Sequence, residues 1–263
     1  MSLRPLRSVL FMPGSNQRAM DKARSLPADA IIFDLEDAVA PDNKDSAREA
    51  VAAQVRAGGY GKRLLVARCN ALATPWGRDD LHTLAATPLQ ILCLPKVESS
   101  QQLDAVSAEL LAAGRDDLHL WAMLETPAGV QAAEAIAAHP AVAALVMGTT
   151  DLASTLRVPQ RADRLGLQYA LGHCVLAARR FDTVILDGVH LDLDDAPGFH
   201  AICEQGRALG FDGKTLIHPR QIDAANAVFG PSEAALEWAR RVLAAWQEAG
   251  TGPCPWPAGW SRA

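Results

Sequence analysis

The stretch His119-Leu120-Trp121-Ala122-Met123-Leu124-Glu125-Thr126-Pro127 carries the pattern on which the fold turns. An apolar run from Leu120 to Leu124 is too short for a helix and suits a strand. Its uniform rather than alternating character belongs to a strand covered on both faces, as parallel strands are. Glu125 closes the run, Thr126 offers a helix N-cap, and Pro127 stands where a first helical turn begins and its missing N–H is not needed. A buried strand, a charged residue and a helix start, in that order, make the βα junction of a parallel sheet.

The same pattern recurs outward along the chain. Apolar runs lie at Ser8–Met12, Ala30–Leu35, Arg63–Arg68, Gln90–Leu94, His119–Leu124, Ala143–Met147, Thr183–Leu186 and Lys214–Ile217. Between them, capping and stop signals predict helices over Lys44–Ala57, Ser99–Ala113, Ala128–Ala138 and Asp195–Leu209, with a terminal helix over Ser232–Ala249. Asp42-Asn43 is the expected cap of the first of these, and Gly58-Gly59 its stop. Eight strand–helix repeats predict an α/β fold, a (β/α)8 TIM barrel over residues 1–230 with an additional C-terminal helix. Residues 231–263, that helix and a proline-rich tail with Trp256 and Trp260, are expected to pack on the barrel or on a neighbouring subunit. An open doubly wound sheet is the alternative, but no GxGxxG follows the first run, which weakens its dinucleotide-binding form.

Composition narrows the function classes. The 263 residues suit one barrel, and 49% of them are hydrophobic, enough for a filled interior and a buried helix layer. A net charge of −5, with no lysine or arginine run longer than a pair, argues against a nucleic-acid partner. No apolar stretch approaches the roughly 20 residues of a membrane span, and Met1–Arg7 leads into a strand rather than a signal-peptide core. The five cysteines (Cys69, Cys93, Cys174, Cys203 and Cys254) are scattered and form no CxxC pair. They suggest neither a zinc cage nor a disulfide framework, and fit buried thiols in a cytoplasmic protein.

Barrel active sites stand at the carboxyl ends of the strands, so the residues closing each run are the candidates. They are Asp34, Glu36 and Asp37; Arg68 with Asn70; Lys96; Glu125; Gly148 to Asp151; Asp187; and His218. Six carboxylates there face Arg68 and Lys96, and so many charges in one place must pair or bind a metal. Oxygen donors without cysteine or paired histidines point to Mg²⁺, which takes one or two protein carboxylates and leaves its other positions to water and substrate. Asp37 and Asp187 serve equally well as helix caps, and Asp151 could cap a turn over Leu152–Leu156. Glu125 is poorly explained that way, because Thr126 caps better. Lys96 fits a structural ion pair with Glu98 or Glu125, and His218 a packing role. An arginine among acids, Arg68, suits bidentate grip of a substrate carboxylate.

Several ordered blocks resemble the HpcH/HpaI aldolase/citrate lyase family, and within it the citrate lyase β-subunit-like branch. They are Arg7-Ser8-Val9-Leu10-Phe11-Met12-Pro13-Gly14, Phe33-Asp34-Leu35-Glu36-Asp37-Ala38-Val39, Arg68-Cys69-Asn70, Leu94-Pro95-Lys96-Val97-Glu98, Leu124-Glu125-Thr126-Pro127, Gly148-Thr149-Thr150-Asp151-Leu152 and Gly210-Phe211-Asp212-Gly213-Lys214 with Ile217-His218-Pro219. The resemblance implies a Mg²⁺-dependent carbon–carbon lyase that cleaves a malyl-, citramalyl- or citryl-type CoA thioester into an acyl-CoA and an oxo acid. It implies Glu125 and Asp151 as metal ligands and Arg68, Glu125, Gly148, Thr149 and Asp151 as substrate-binding. Arg68, Glu36, Asp37 and Lys96 are the candidate catalytic groups. It also implies a homo-oligomer, a trimer or a multiple of one. Many relatives carry an acidic lid segment after the terminal helix that supplies a proton donor; here Trp246 to Trp256 holds no aspartate. Thioester hydrolysis on the same site, or a non-catalytic acyl-thioester-binding subunit, are therefore the alternative expectations.

Overall fold

A computed structural model describes residues 5–249. In chain order the elements are β1 (Ser8–Pro13), α1 (Gln17–Ala23), β2 (Ala30–Asp34), α2 (Lys44–Ala57), β3 (Leu64–Arg68), α3 (Gly77–Ala85), β4 (Ile91–Leu94), α4 (Ser100–Ala112), β5 (His119–Leu124), α5 (Pro127–Gln131), α6 (Ala133–Ala137), β6 (Val142–Met147), α7 (Thr149–Leu156), α8 (Gln168–Arg180), β7 (Val184–Asp187), α9 (Ala196–Leu209), β8 (Gly213–Leu216), α10 (Ile222–Phe229) and α11 (Glu233–Ala249). The strands close into a barrel in sequence order, every neighbouring pair parallel, with β8 returning to β1. The expected (β/α)8 architecture is the observed one, each strand within a residue or two of its apolar run.

Side-chain alternation sorts the strand residues into two packed layers. Val9, Ile32, Val66, Ile91, Cys93, Trp121, Met123, Val146 and Leu186 fill the lumen. Their alternates, among them Leu10, Ile31, Phe33, Leu92, Leu145 and Ile185, pack with the surrounding helices. At about 25 cal/mol per Å² of buried apolar surface, these two layers are the main stabilising term.

Three local expectations are corrected. The single helix expected over Ala128–Ala138 is two short ones that meet at Ala132, whose ψ of 6° leaves the helical range. Gly129 there sits so close to the Val97 carbonyl that a Cβ would strike it, which pins α5 against the β4–α4 loop. Asn43 makes no side-chain cap; a short 3-10 turn, Pro41–Asn43, leads into α2 instead. Asp151 does not cap a turn from outside, because α7 already begins at Thr149.

The chain divides into two compact units at Phe229/Gly230. In the second, Ser232 Oγ accepts from Ala235 N at 3.1 Å and starts α11, whose Leu236, Trp238, Leu243 and Trp246 are exposed. Cys254, Trp256 and Trp260 lie outside the described residues. Cys69, Cys93, Cys174 and Cys203 are buried free thiols. No described helix is long and apolar enough to cross a membrane.

Candidate active site at the carboxyl end of the barrel

The lumen-facing alternation of β2, β3 and β5 continues one step past Ile32, Val66 and Met123 to Asp34, Arg68 and Glu125, and so lifts these three side chains to the mouth of the barrel. They line a cavity of about 380 Å³ with Phe11, Asp37, Gly148, Thr149, Asp151 and others.

Arg68 is the centre of the charged network. Asp34 grips it at both ends, Nε to Oδ1 at 2.7 Å and Nη2 to Oδ2 at 2.6 Å. Asp34 also accepts the Glu36 and Ala38 N–H groups, so its carboxylate is held from four directions. Arg68 Nη1 lies 2.8 Å from Glu36 and 3.4 Å from Asp37, and the guanidinium rests on the Phe11 ring, 4.8 Å from its centroid. Burial opposes its charge, but the Asp34, Glu36 and Asp37 carboxylates outweigh that and raise its pKa. Arg68 is therefore a fixed cation facing the cavity, with Asp34, Glu36 and Asp37 orienting it.

Lys96 sits in the left-handed backbone region, φ 50°, which aims its N–H at Glu125 Oε1, 2.7 Å away. Its ammonium pairs with Glu36 at 2.9 Å and approaches Asp151 at 3.5 Å, rather than with Glu98 or the Glu125 side chain. Burial works against the Lys96 charge, yet the Glu36 bond prevails and raises its pKa. Burial raises the Glu36 carboxyl despite Arg68 and Lys96. Glu125, 2% exposed, is pushed up to about 7 by burial, only partly offset by the Lys96 N–H.

Two expectations change. Asp187 does not belong to the acidic mouth: it alternates with Leu186 and faces the helix layer, bonded to Arg164 and Lys214. His218 caps the turn after β8, its Nδ1 accepting from Arg220 N at 3.1 Å. Three residues the sequence reading passed over also matter. Lys44, buried, donates to the Leu35 and Glu36 carbonyls at 2.7 Å each and steadies the β2 loop. Asp80 holds Asn70 at the end of β3 and pairs with Arg48 at 2.7 Å. Each stands inside a helix, where only tertiary contact reveals its role.

Asp34, Glu36, Asp37, Glu125 and Asp151 face Arg68, Lys44 and Lys96, so that carboxyl groups outnumber cations five to three. No group of three or more histidine, cysteine or acidic side chains is arranged as a metal cage among the described residues. Magnesium needs less, one or two carboxylates with water and substrate completing its shell. Glu125 and Asp151 on one cavity wall fit it, as does Gly148, where a Cβ would strike the Glu125 side chain. The fold and this acid-rich, arginine-centred mouth are those of a barrel whose candidate active site stands at the carboxyl ends of its strands.

Comparison with known proteins agrees. The chain belongs to the HpcH/HpaI aldolase/citrate lyase family, which matches residues 7–219. It is 50% identical over 245 residues to a (3S)-malyl-CoA thioesterase of Cereibacter sphaeroides, covering 93% of this chain and 84% of that protein. The citrate lyase subunit beta of Escherichia coli is 34% identical over 249 residues, 92% of this chain and 82% of its own length. Among solved structures, the protein CitE of Mycobacterium tuberculosis in complex with magnesium, acetoacetate and coenzyme A superposes with a TM-score of 0.78 at 34% identity, covering 94% of this chain and 88% of that one.

Proposed function

We propose that the protein hydrolyses a malyl-type CoA thioester with the help of Mg²⁺ held by Glu125 and Asp151. The observation that carries this reading is the engagement of the mouth's acids: Asp34, Glu36 and Asp37 are tied to Arg68, while Glu125 and Asp151 line the same cavity without such a tie to it. Carbon–carbon cleavage must deliver a proton to carbon, whereas hydrolysis passes the proton that water loses to the departing sulfur. The 50% identity to (3S)-malyl-CoA thioesterases supports the same choice.

In this mechanism Arg68, held by its three acidic partners, offers the free carboxylate of the malyl group its one uncommitted Nη2 proton. Mg²⁺ held by Glu125 and Asp151 would supply the charge that lowers the pKa of water and polarises oxygen. The Thr149 and Thr150 N–H groups, at the start of α7 beside the cavity, would donate to negative charge that develops on the substrate. Water oxygen bonds to the thioester carbon, the C–S bond breaks, and the departing thiolate takes the proton that water loses. Malate and CoA leave. Carbon–carbon cleavage is the second reading, favoured by the citrate lyase relatives.

Incubating the protein with malyl-CoA stereoisomers separates the two. Malate and free CoA in equal amounts, abolished by EDTA and restored by Mg²⁺, are expected. Acetyl-CoA with glyoxylate would overturn hydrolysis in favour of the lyase. Glu125→Gln and Asp151→Asn should each weaken Mn²⁺ binding, read by electron paramagnetic resonance, at least ten-fold. A variant with wild-type affinity would remove that residue from the metal site.

A further inference from the structure

A second cavity, about 310 Å³, opens between the β6–α7 turn, the α7–α8 loop and the β7–α9 loop. It adjoins the catalytic cavity, and Thr149, Thr150, Val189 and Leu191 line both. Beneath it lies a buried ion cluster of Asp187, Lys214 and Arg164, of which only Asp187 was expected at the mouth. Asp187 is 0% exposed and accepts from Lys214, also 0% exposed, at 3.0 Å, and from Arg164 Nη1 at 2.6 Å. Gly206 on α9 makes room, since a Cβ there would come within 2.7 Å of the carboxylate.

One carboxylate between two cations leaves this buried cluster with one positive charge too many. Cys203 does not supply the missing negative charge, because burial holds its thiol up at about 11. The same imbalance tells on Lys214, whose pKa is lowered by burial, with Arg164 adding to the effect against Asp187. Uncompensated buried charge costs several kcal/mol, so such a cluster calls for an anion.

The wall shows where an anion would bind. Arg164 is held in the left-handed region, φ 49°, with a side chain 8% exposed. Its Nε donates to Gln205 at 2.6 Å and its Nη1 to Asp187, while Nη2 is buried without a hydrogen-bond partner. His190 Nε2, on the same wall, is likewise buried and unpartnered. Burial and nearby Lys214 lower the His190 pKa against the pull of Asp195 and Asp192; in its Nε2–H tautomer the ring presents a donor there. The other charged groups on the wall are already engaged. Arg161 pairs with Asp163 at 2.7 Å, Asp192 Oδ1 accepts the Asp194 and Asp195 N–H groups, and Asp195 caps α9 through Gly198 N.

We propose that this cavity is a binding site for a small carboxylate, taken by Arg164 Nη2 and His190 Nε2 beside the catalytic cavity. A planar carboxylate offers two acceptor oxygens to these two orphaned donors and neutralises the cluster's extra charge. The proposal does not depend on which bond the catalytic site breaks.

Metal-free protein carrying ¹⁵N-histidine, titrated with malonate at constant ionic strength, tests it. The His190 ring signal, assigned by its loss in His190→Gln, should move along a saturable curve. Arg164→Gln should abolish that movement. Because Arg164 is part of a buried ion cluster, Ala162→Glu provides a second variant: Ala162 is exposed on the cavity's rim, and the new carboxylate there should raise the malonate midpoint at least ten-fold. A His190 signal that ignores malonate, or responds unchanged in Ala162→Glu, overturns the proposal. A signal that answers inorganic phosphate and not malonate overturns the carboxylate as the ligand.

Discussion

Glu125 reaches the mouth of the barrel because it continues the inward alternation of Trp121 and Met123, and burial then raises its carboxyl to about 7. The unfolded chain holds the same group near about 4.3, so the folded protein binds this proton more tightly. The stabilising contribution is therefore complete below about pH 4 and is lost as pH rises through 7, by an amount on the order of a few kcal/mol. Metal-free wild type and Glu125→Gln, compared by urea unfolding at several pH values across this window, should show it. Wild-type stability is expected to fall toward neutral pH relative to the variant, whose isosteric amide keeps the acceptor for Lys96 N–H. Parallel curves would mean that Glu125 does not hold the raised pKa. Glu125 was legible in the sequence as an acid that no capping role explains, with Thr126 doing the capping at 3.1 Å to Gly129 N. Its proton affinity was not legible, since it depends on how far the barrel buries it.

At the scale of elements, the turn from β6 into α7 shapes the cavity wall proposed to hold Mg²⁺. Gly148 is the N-cap of α7 with an ordinary φ of −94°, so glycine is required there for space rather than for backbone freedom. A Cβ would run into the Glu125 side chain on the neighbouring strand. Gly148→Ala is expected to push Glu125 aside, weaken Mn²⁺ binding at least ten-fold and cost about 1–3 kcal/mol from overpacking. A crystal structure of the variant with Glu125 unmoved and metal affinity intact would refute this. Strand–helix order was readable because each strand is a continuous apolar run. The face of each charged residue was not: Asp34 and Glu125 point into the lumen, while Asp187 points to the helices, and a shift of one residue in where a strand is taken to end reverses the reading. The break at Ala132 escaped as well, since it shows only in the backbone, as a ψ of 6° between α5 and α6.

Closure of the whole barrel rests on the seam where the last strand meets the first. That ladder has only three residue pairs, Ser8 with Lys214, Val9 with Thr215 and Leu10 with Leu216. Side chains from α10 reinforce it: Asn226 Oδ1 accepts from the buried Ser8 hydroxyl at 2.7 Å, and Asn226 Nδ2 donates to the Pro27 carbonyl at 2.8 Å. One amide thus joins the last helix of the barrel unit to β1 and to the loop before β2. No local sequence signal marks Ser8 or Asn226, because their partners are 218 residues apart, and only the closed barrel brings them together. Removing the amide leaves a buried hydroxyl without its acceptor, which costs about 1–3 kcal/mol. Asn226→Ala should lower the urea midpoint accordingly, while Ser8→Ala, which removes the donor, should cost less in the Asn226→Ala background than alone. A coupling energy of about 0.5–3 kcal/mol from the double-mutant cycle is expected for groups in direct contact. Strict additivity of the two substitutions would show that the seam is held by its backbone ladder alone.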